Sequence, residues 1–373
     1  MRVLIINSVC GIRSTGRICT DIADKYALQG HEVKIAYGRE SVPTKYENIS
    51  YRIGTKANVR INALKARLLD NDGFNAKKQT REFVKWANNY NPDVLWLHNL
   101  HGYYINIELL FEWIKSRPDM EVKWTLHDCW SFTGHCAYFS FIKCYQWKTH
   151  CSHCVQKEKY PKSMFVDRCK KNFDRKRKAF CGVKNMKLIV PSNWLKTLVK
   201  ESFLNEYDVE VQYNTIDQSI FKPTQGDFRK KYHLENKKIV LGVASAWSER
   251  KGLHDFIELS KLLDNSFKIV LVGLTEKQIA SIPNNILCIE RTDSTAQLAE
   301  IYTAADVFLN LTYEDNFPTV NLESQACGTP CVTYRTGGSI ESVPVENVVE
   351  QHNLSDVILK IYRIVRESDR AEI

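Results

Sequence analysis

Ten short β-branched runs, set out in two series and separated by helical patterns, constrain the fold of this chain more than anything else in it. The first series is RVLIINS (2–8), EVKIAYG (32–38), DVLWLHN (93–99), VKWTLHD (122–128) and KLIVPS (187–192). The second is KKIVLGVAS (237–245), FKIVLVG (267–273), NILCIER (285–291), DVFLNLT (306–312) and PCVTY (330–334). Strands that are apolar at consecutive positions must be covered on both faces, as in parallel sheets flanked by helices. Two series therefore imply two doubly wound α/β domains, and 373 residues exceed what one core normally accommodates. We expect a first domain over 1–215 with a Cys-rich insertion at 129–165, and a second over 216–373. YNTIDQSIFKPTQGDF (213–228), with Pro, Gly and no apolar periodicity, reads as the connection. The last helix, LSDVILKIYRIVRES (354–368), could cross back to pack on the first domain.

Ligands of such sheets bind beyond the carboxyl ends of the strands, so motifs there carry the most weight. SERKG (248–252) places Arg250 and Lys251 beside a glycine just after a strand, a combination suited to an anion. YEDNFPTVNLESQACGTP (313–330) runs from a strand through a loop holding Asp315 into a helix holding Glu323. Pro318 suits the first turn of that helix, and Gly328 and Pro330 stop it. The N–H groups of Asn316, Phe317 and Thr319 at its start could cradle a phosphate. The carboxylates suit sugar hydroxyls; taken alone, they equally suit a solvated acidic loop and one surface Glu. Gly337 and Gly338 follow the last strand and permit close backbone approach.

In the first series NSVCGIRSTGRI (7–18) is a glycine-bearing loop in which Arg13, Ser14, Thr15 and Gly16 could border a ligand, or form a plain strand-to-helix turn. His98, His101 and His127 also stand at or after strand ends, as ligand contacts or as buried structural histidines.

The stretch YEDNFPTVNLESQACGTPCVTYRTGGSIE resembles the C-terminal motif of family-4 retaining glycosyltransferases, E-x7-E followed by a small-residue helix and G-T-P. Here Asp315 stands at the first acidic position, one methylene short of the usual Glu, with Glu314 beside it; Glu323 stands at the second. The wording LHNLHGYYIN, TLHDCWSFTGHCAYF and CYQWKTHCSHC resembles the subset from bacterial exopolysaccharide and capsule clusters, colanic-acid type. The resemblance implies the GT-B fold, two Rossmann-like domains facing each other across a cleft. It implies transfer of a hexose, with retention, from a nucleoside-diphosphate sugar to a saccharide acceptor carried on a lipid pyrophosphate. Glu323 would bind the ribose, Asp315 would lie near the transferred sugar, Arg250 and Lys251 would neutralise the diphosphate, and His127 would face the reactive sugar. No metal is implied for catalysis. A sugar-nucleotide epimerase of the same fold, or a non-catalytic saccharide-binding relative, stays open beside it.

Cys136, Cys144, Cys151 and Cys154 lie within HCAYFSFIKCYQWKTHCSHC (135–154). They could hold a structural zinc, or be reduced thiols packed among Phe141, Tyr145 and Trp147. DRCKKNFDRKRKAF (167–180) carries seven cations among 168–178, with Met164, Phe165, Phe173 and Phe180 available for an apolar face. A basic amphipathic helix suits an anionic membrane surface; it could also be a solvated face. The net charge of +9 favours an acidic partner, but aromatics are not interleaved with cations, so nucleic acid is not expected. Without an apolar run of about 18 residues or a leader pattern, we expect a cytoplasmic protein, peripheral on the inner face of the plasma membrane.

Overall fold

The structure is a computed structural model that describes residues 1–371. The chain divides into two compact units, Met1–Tyr213 and Asn214–Ile373. In the first, strands β1 (Arg2–Asn7), β2 (Glu32–Tyr37), β3 (Ser50–Arg52), β4 (Val94–Leu97), β5 (Glu121–Thr125), β6 (Met186–Val190) and β7 (Val209–Val211) form one sheet. Their order is β3-β2-β1-β4-β5-β6-β7, and every neighbouring pair is parallel. The second unit contains β8 (Lys238–Val243), β9 (Phe267–Val272), β10 (Ile286–Ile289), β11 (Val307–Asn310), β12 (Cys331–Tyr334) and β13 (Val348–Val349). These run parallel in the order β10-β9-β8-β11-β12-β13. This is the α/β, doubly wound, Rossmann-like arrangement, present twice.

All ten expected strands are present. The three others, β3, β7 and β13, are two or three residues long and lie at sheet edges, where too few residues pair to leave a pattern. Consecutive apolarity has the anticipated cause. In β1, Leu4 and Ile6 enter one core and Val3 and Ile5 another on the opposite face, all fully buried. In β8, Val240 faces one core while Ile239 and Leu241 face the other. Burying each such side chain contributes about 1.5–3 kcal/mol.

The segment 213–228 is not a bare connection, because Phe221 and Phe228 are buried in the second unit's core. The last helix, Leu354–Ala371, lays its apolar stripe on the second unit. Val357, Ile361, Ile364 and Val365 all belong to the second unit's core.

In both sheets the chain winds outward from the first strand and then returns to that strand's other side. The reversal falls between β1 and β4, and between β8 and β11. Loops on either side of such a point leave a crevice at the carboxyl ends of the strands.

Candidate functional site

In the second unit three loops meet at the reversal point. After β8 the chain makes a short turn over Glu249–Lys251 and enters the helix Leu253–Leu262 through Gly252. Gly252 has φ +72°, and a Cβ there would lie 2.0 Å from the Leu311 carbonyl oxygen, so only glycine lets this turn press against the end of β11. The Tyr313 N–H donates to the Arg250 carbonyl at 2.8 Å, and the Thr312 hydroxyl donates to it at 3.2 Å. The Gly338 N–H, after β12, donates to the Asp315 carbonyl at 3.0 Å.

The three loops bring Arg250, Lys251 and Asp315 together. The Lys251 Nζ lies 2.5 Å from Asp315 Oδ2, and an Arg250 guanidinium nitrogen lies 3.9 Å from the same oxygen. Arg250 also donates to the Glu314 carbonyl. Burial disfavours the Asp315 carboxylate, but Lys251 and Arg250 outweigh it and hold its pKa below the usual range. Burial lowers the Lys251 pKa and the Arg250 charge lowers it further, against the pull of Asp315. Two cations thus meet at the Asp315 carboxylate in a place where side chains are about four-fifths covered, Lys251 being 20% exposed. A site of that kind is stabilised by a further anion.

The other residues of the motif follow in the same loop and in the helix after it. Asp315 Oδ1 accepts from the Asn316 N–H at 2.9 Å, and Phe317 is buried in the same loop. Pro318 caps the helix Thr319–Ala326 rather than forming its first turn, and Gly328, at φ +86°, follows its end. Glu323 is buried on that helix and accepts from the Tyr302 hydroxyl at 3.2 Å. Glu314 is fully buried. Gly337 approaches the backbone of Asp315: at φ +50°, its Cβ would lie 2.0 Å from the Asp315 carbonyl oxygen. The glycine pair therefore props the Asp315 loop.

In the first unit the loop after β1 leads into the helix Arg13–Leu28. Gly16 sits in its first turn, its carbonyl accepting from the Gly11 N–H at 3.0 Å. Arg13 is exposed and ion-paired with Glu40 at 2.6 Å. Ser14 is exposed, and Thr15 lies 3.5 Å from the Asn7 side-chain amide. Across the reversal point, His98 Nδ1 and His127 Nε2 are 2.9 Å apart and the rings stack. Burial lowers both pKa values, that of His127 to about 4, so the pair is neutral at pH 7. The other nitrogen of His98 is buried and has no protein partner. His127 thus presents a neutral imidazole, a hydrogen-bonding group rather than a cation.

Sequence reasoning missed a second constellation here. His101 bridges the Tyr160 hydroxyl at 2.8 Å and Asp128 at 2.9 Å. Asp70, after the helix Lys56–Leu69, contacts His135 at 2.5 Å and accepts from the Arg168 N–H at 2.6 Å. The dipeptide HD at 127–128 was a signal for Asp128; the turn holding Asp70 gave none.

Cys136, Cys144, Cys151 and Cys154 line one small pocket with Cys169, His135 and His153. Yet among the described residues no group of three or more His, Cys, Asp or Glu side chains is arranged to hold a metal ion. This corrects the zinc expectation. Aromatic packing holds the insertion instead: Trp147 is 1% exposed, with Phe132 and Phe139 at 5.4 and 4.9 Å. Tyr145, expected in the same packing, is exposed.

The basic helix also differs from its reading. Over Cys169–Phe180 the apolar Phe173 and Phe180 are core residues, not a free face. Lys176 is buried and donates to the carbonyls of Trp130 and Thr133 at 2.6 and 3.0 Å. Arg175 is paired to Glu108 by two bonds, of 2.8 and 2.6 Å.

Residues 224–372 match the family described as glycosyl transferases group 1. A protein of Escherichia coli named for glycosyl transfer in colanic acid biosynthesis is 29% identical over 194 residues, 48% of this chain and 45% of that one. A processive diacylglycerol alpha-glucosyltransferase of Acholeplasma laidlawii is 28% identical over 206 residues, 50% of this chain and 59% of its own. The matches span about half the length of these curated relatives. Among solved structures, Anabaena HepE in complex with UDP superposes with a TM-score of 0.65 at 14% identity, covering 99% of this chain and 91% of that one. That likeness concerns the fold, which is the GT-B class.

Proposed function

We propose that this chain, whose residues 224–372 match the family described as glycosyl transferases group 1, is a retaining glycosyltransferase using a nucleoside-diphosphate sugar. The observation that carries the reading is that Arg250 and Lys251 both meet the Asp315 carboxylate at the second unit's reversal point. A departing diphosphate accumulates negative charge as its bond to the anomeric carbon breaks. Two preorganised cations in a mostly covered site stabilise that charge, and stabilisation of this kind is commonly the largest single contribution to such a rate. The charge is met by protein cations, so the reaction does not call for a metal cofactor.

In this reading the bond from the anomeric carbon to the diphosphate oxygen breaks while an acceptor hydroxyl bonds to that carbon on the same face. The hydroxyl proton passes to the departing diphosphate, so no strong protein base is needed. Asp315 lies near the transferred sugar and exchanges Lys251 with the incoming phosphate. Glu323 binds the ribose by giving up its Tyr302 partner. The N–H groups around Asn316, Phe317 and Thr319 contact phosphate. In the first unit we assign His127 to a substrate hydroxyl, and Ser14, Thr15 and Gly16 to the substrate-facing loop. The acceptor is a saccharide, carried on a lipid pyrophosphate; a relative in Campylobacter jejuni is named for a diphospho-undecaprenol acceptor. The protein then works in the cytoplasm, at the inner face of the membrane.

The test is incubation of the purified protein with UDP-, GDP- and dTDP-hexoses, with and without a short-chain lipid-pyrophosphate saccharide. Transfer of one sugar with the donor's anomeric configuration, read by mass and NMR, supports the proposal. Donor isomerised without acceptor, or no diphosphate released from any donor, contradicts it.

A further inference from the structure

The helix Lys56–Leu69, KANVRINALKARLL, is turned the wrong way round for a soluble protein. Its buried residues are Asn62 and Ala66, whereas Ile61, Leu64 and Leu68 are 52%, 56% and 38% exposed. At about 100° per residue, Ala57, Ile61, Leu64 and Leu68 fall in one sector of about 60°, opposite Asn62 and Ala66. Cations flank this stripe, Lys65 on one side and Lys56, Arg60 and Arg67 on the other, all exposed. The helix has no acidic residue.

A second segment extends the same surface. The Met164 N–H donates to the Arg67 carbonyl at 2.7 Å, which sets Met164 and Phe165, 47% and 69% exposed, at the helix's end. Asp70 ties this end to the body of the unit through His135 and the Arg168 N–H. Single exposed leucines are ordinary, but a contiguous apolar patch marks a docking surface.

We infer that the face formed by Ile61, Leu64, Leu68, Met164 and Phe165 docks the protein on an anionic lipid surface. Charge selects this occupant: an apolar stripe bordered by cations, with no carboxylate on the helix, matches acyl chains below and anionic headgroups around. The helix Cys169–Phe180 fits this role less well, since its phenylalanines are in the core. Tyr160, which reaches His101, lies on the segment leading to Met164, so the docked face adjoins the carboxyl-end loops of the first unit's sheet. The inference rests on the proposed function only for what the membrane delivers there; docking itself does not require it.

Flotation with vesicles of phosphatidylcholine plus phosphatidylglycerol, and of phosphatidylcholine alone, at low and high salt tests it in the full-length chain. The expected result is capture by anionic vesicles at low salt, weakened by salt. Leu64→Asp with Leu68→Asp should weaken capture roughly tenfold or more. Arg60→Ser with Lys65→Ser, exposed positions where misfolding is not a concern, should also weaken it. Lys170→Ser with Lys171→Ser should leave it within about twofold. Wild-type protein that ignores anionic vesicles, binds neutral ones equally, or binds unchanged in the two helix variants overturns the inference. Loss of nucleotide-sugar turnover with intact flotation would count against the proposed function alone.

Discussion

Lys251 and Asp315, 64 residues apart, meet at 2.5 Å between the loops that follow β8 and β11. Arg250 stands 3.9 Å from the same carboxylate. The site is therefore partly self-compensated, and a ligand phosphate must compete with Asp315 for Lys251. Lys251→Ala is expected to lower kcat roughly 10²-fold or more, while Arg250 keeps Asp315 paired and the thermal melt nearly unmoved. Unchanged kcat would remove Lys251 from the chemistry.

Asp315→Asn removes the competitor. A free nucleoside diphosphate should then bind several-fold more tightly, while sugar transfer falls. Calorimetry and steady-state kinetics on the same preparation read the two effects; weaker diphosphate binding would mean that Asp315 orders the site rather than competing within it.

Gly337→Ala places a Cβ 2.0 Å from the Asp315 carbonyl oxygen at φ +50°. Backbone must move, so we expect about 1–3 kcal/mol of destabilisation together with weaker diphosphate binding. Gly30→Ala is the control: its φ is +78° but nothing lies within 4 Å of the new Cβ. It should cost about 1 kcal/mol and leave binding alone. Equal effects of the two on binding would refute the propping role of Gly337.

How much of this was legible in the sequence depends on periodicity. β1 and β8 announce themselves because their apolar residues alternate between one core and the other. The candidates Arg250, Lys251, Asp315 and Glu323 were legible as residues at or beyond strand ends, where such sheets bind ligands. Their mutual pairing was not, since it depends on Gly252 and Gly337 closing the loops against backbone oxygens. The helix Lys56–Leu69 was passed over because its amphipathic pattern looks ordinary until the buried side is known. The zinc expectation failed because spacing in the chain says nothing of whether four thiols converge in a ligating arrangement.

His98 and His127 link stability to pH. Their folded pKa values lie below the ordinary histidine value, that of His127 at about 4, while the unfolded chain titrates near 6.5. The unfolded state therefore binds protons first. Stability is full above about pH 6.5 and falls as pH drops toward 4, by up to about 3 kcal/mol for His127. Denaturant melts of wild type and His127→Gln across this window should show a shallower fall in the variant; parallel curves would contradict the buried neutral pair.

Among the clustered thiols, Cys154 should react first. The Cys136 thiol donates to it, which lowers its pKa to about 7 against the effect of burial, whereas burial raises Cys151 to about 12. Brief iodoacetamide treatment near neutral pH, mapped by mass spectrometry, should mark Cys154 ahead of Cys136 and Cys151. Four thiols silent until a chelator is added would instead reveal a bound metal.

The central claim is that Arg250 and Lys251 hold the diphosphate of a sugar nucleotide. Titration calorimetry with UDP, GDP, dTDP and CMP, repeated with the Arg250→Ala, Lys251→Ala double variant, tests it most directly. The account predicts micromolar binding of one diphosphate, weakened at least tenfold in the variant. Binding of none of them to the wild type, or binding that the variant retains in full, would contradict it.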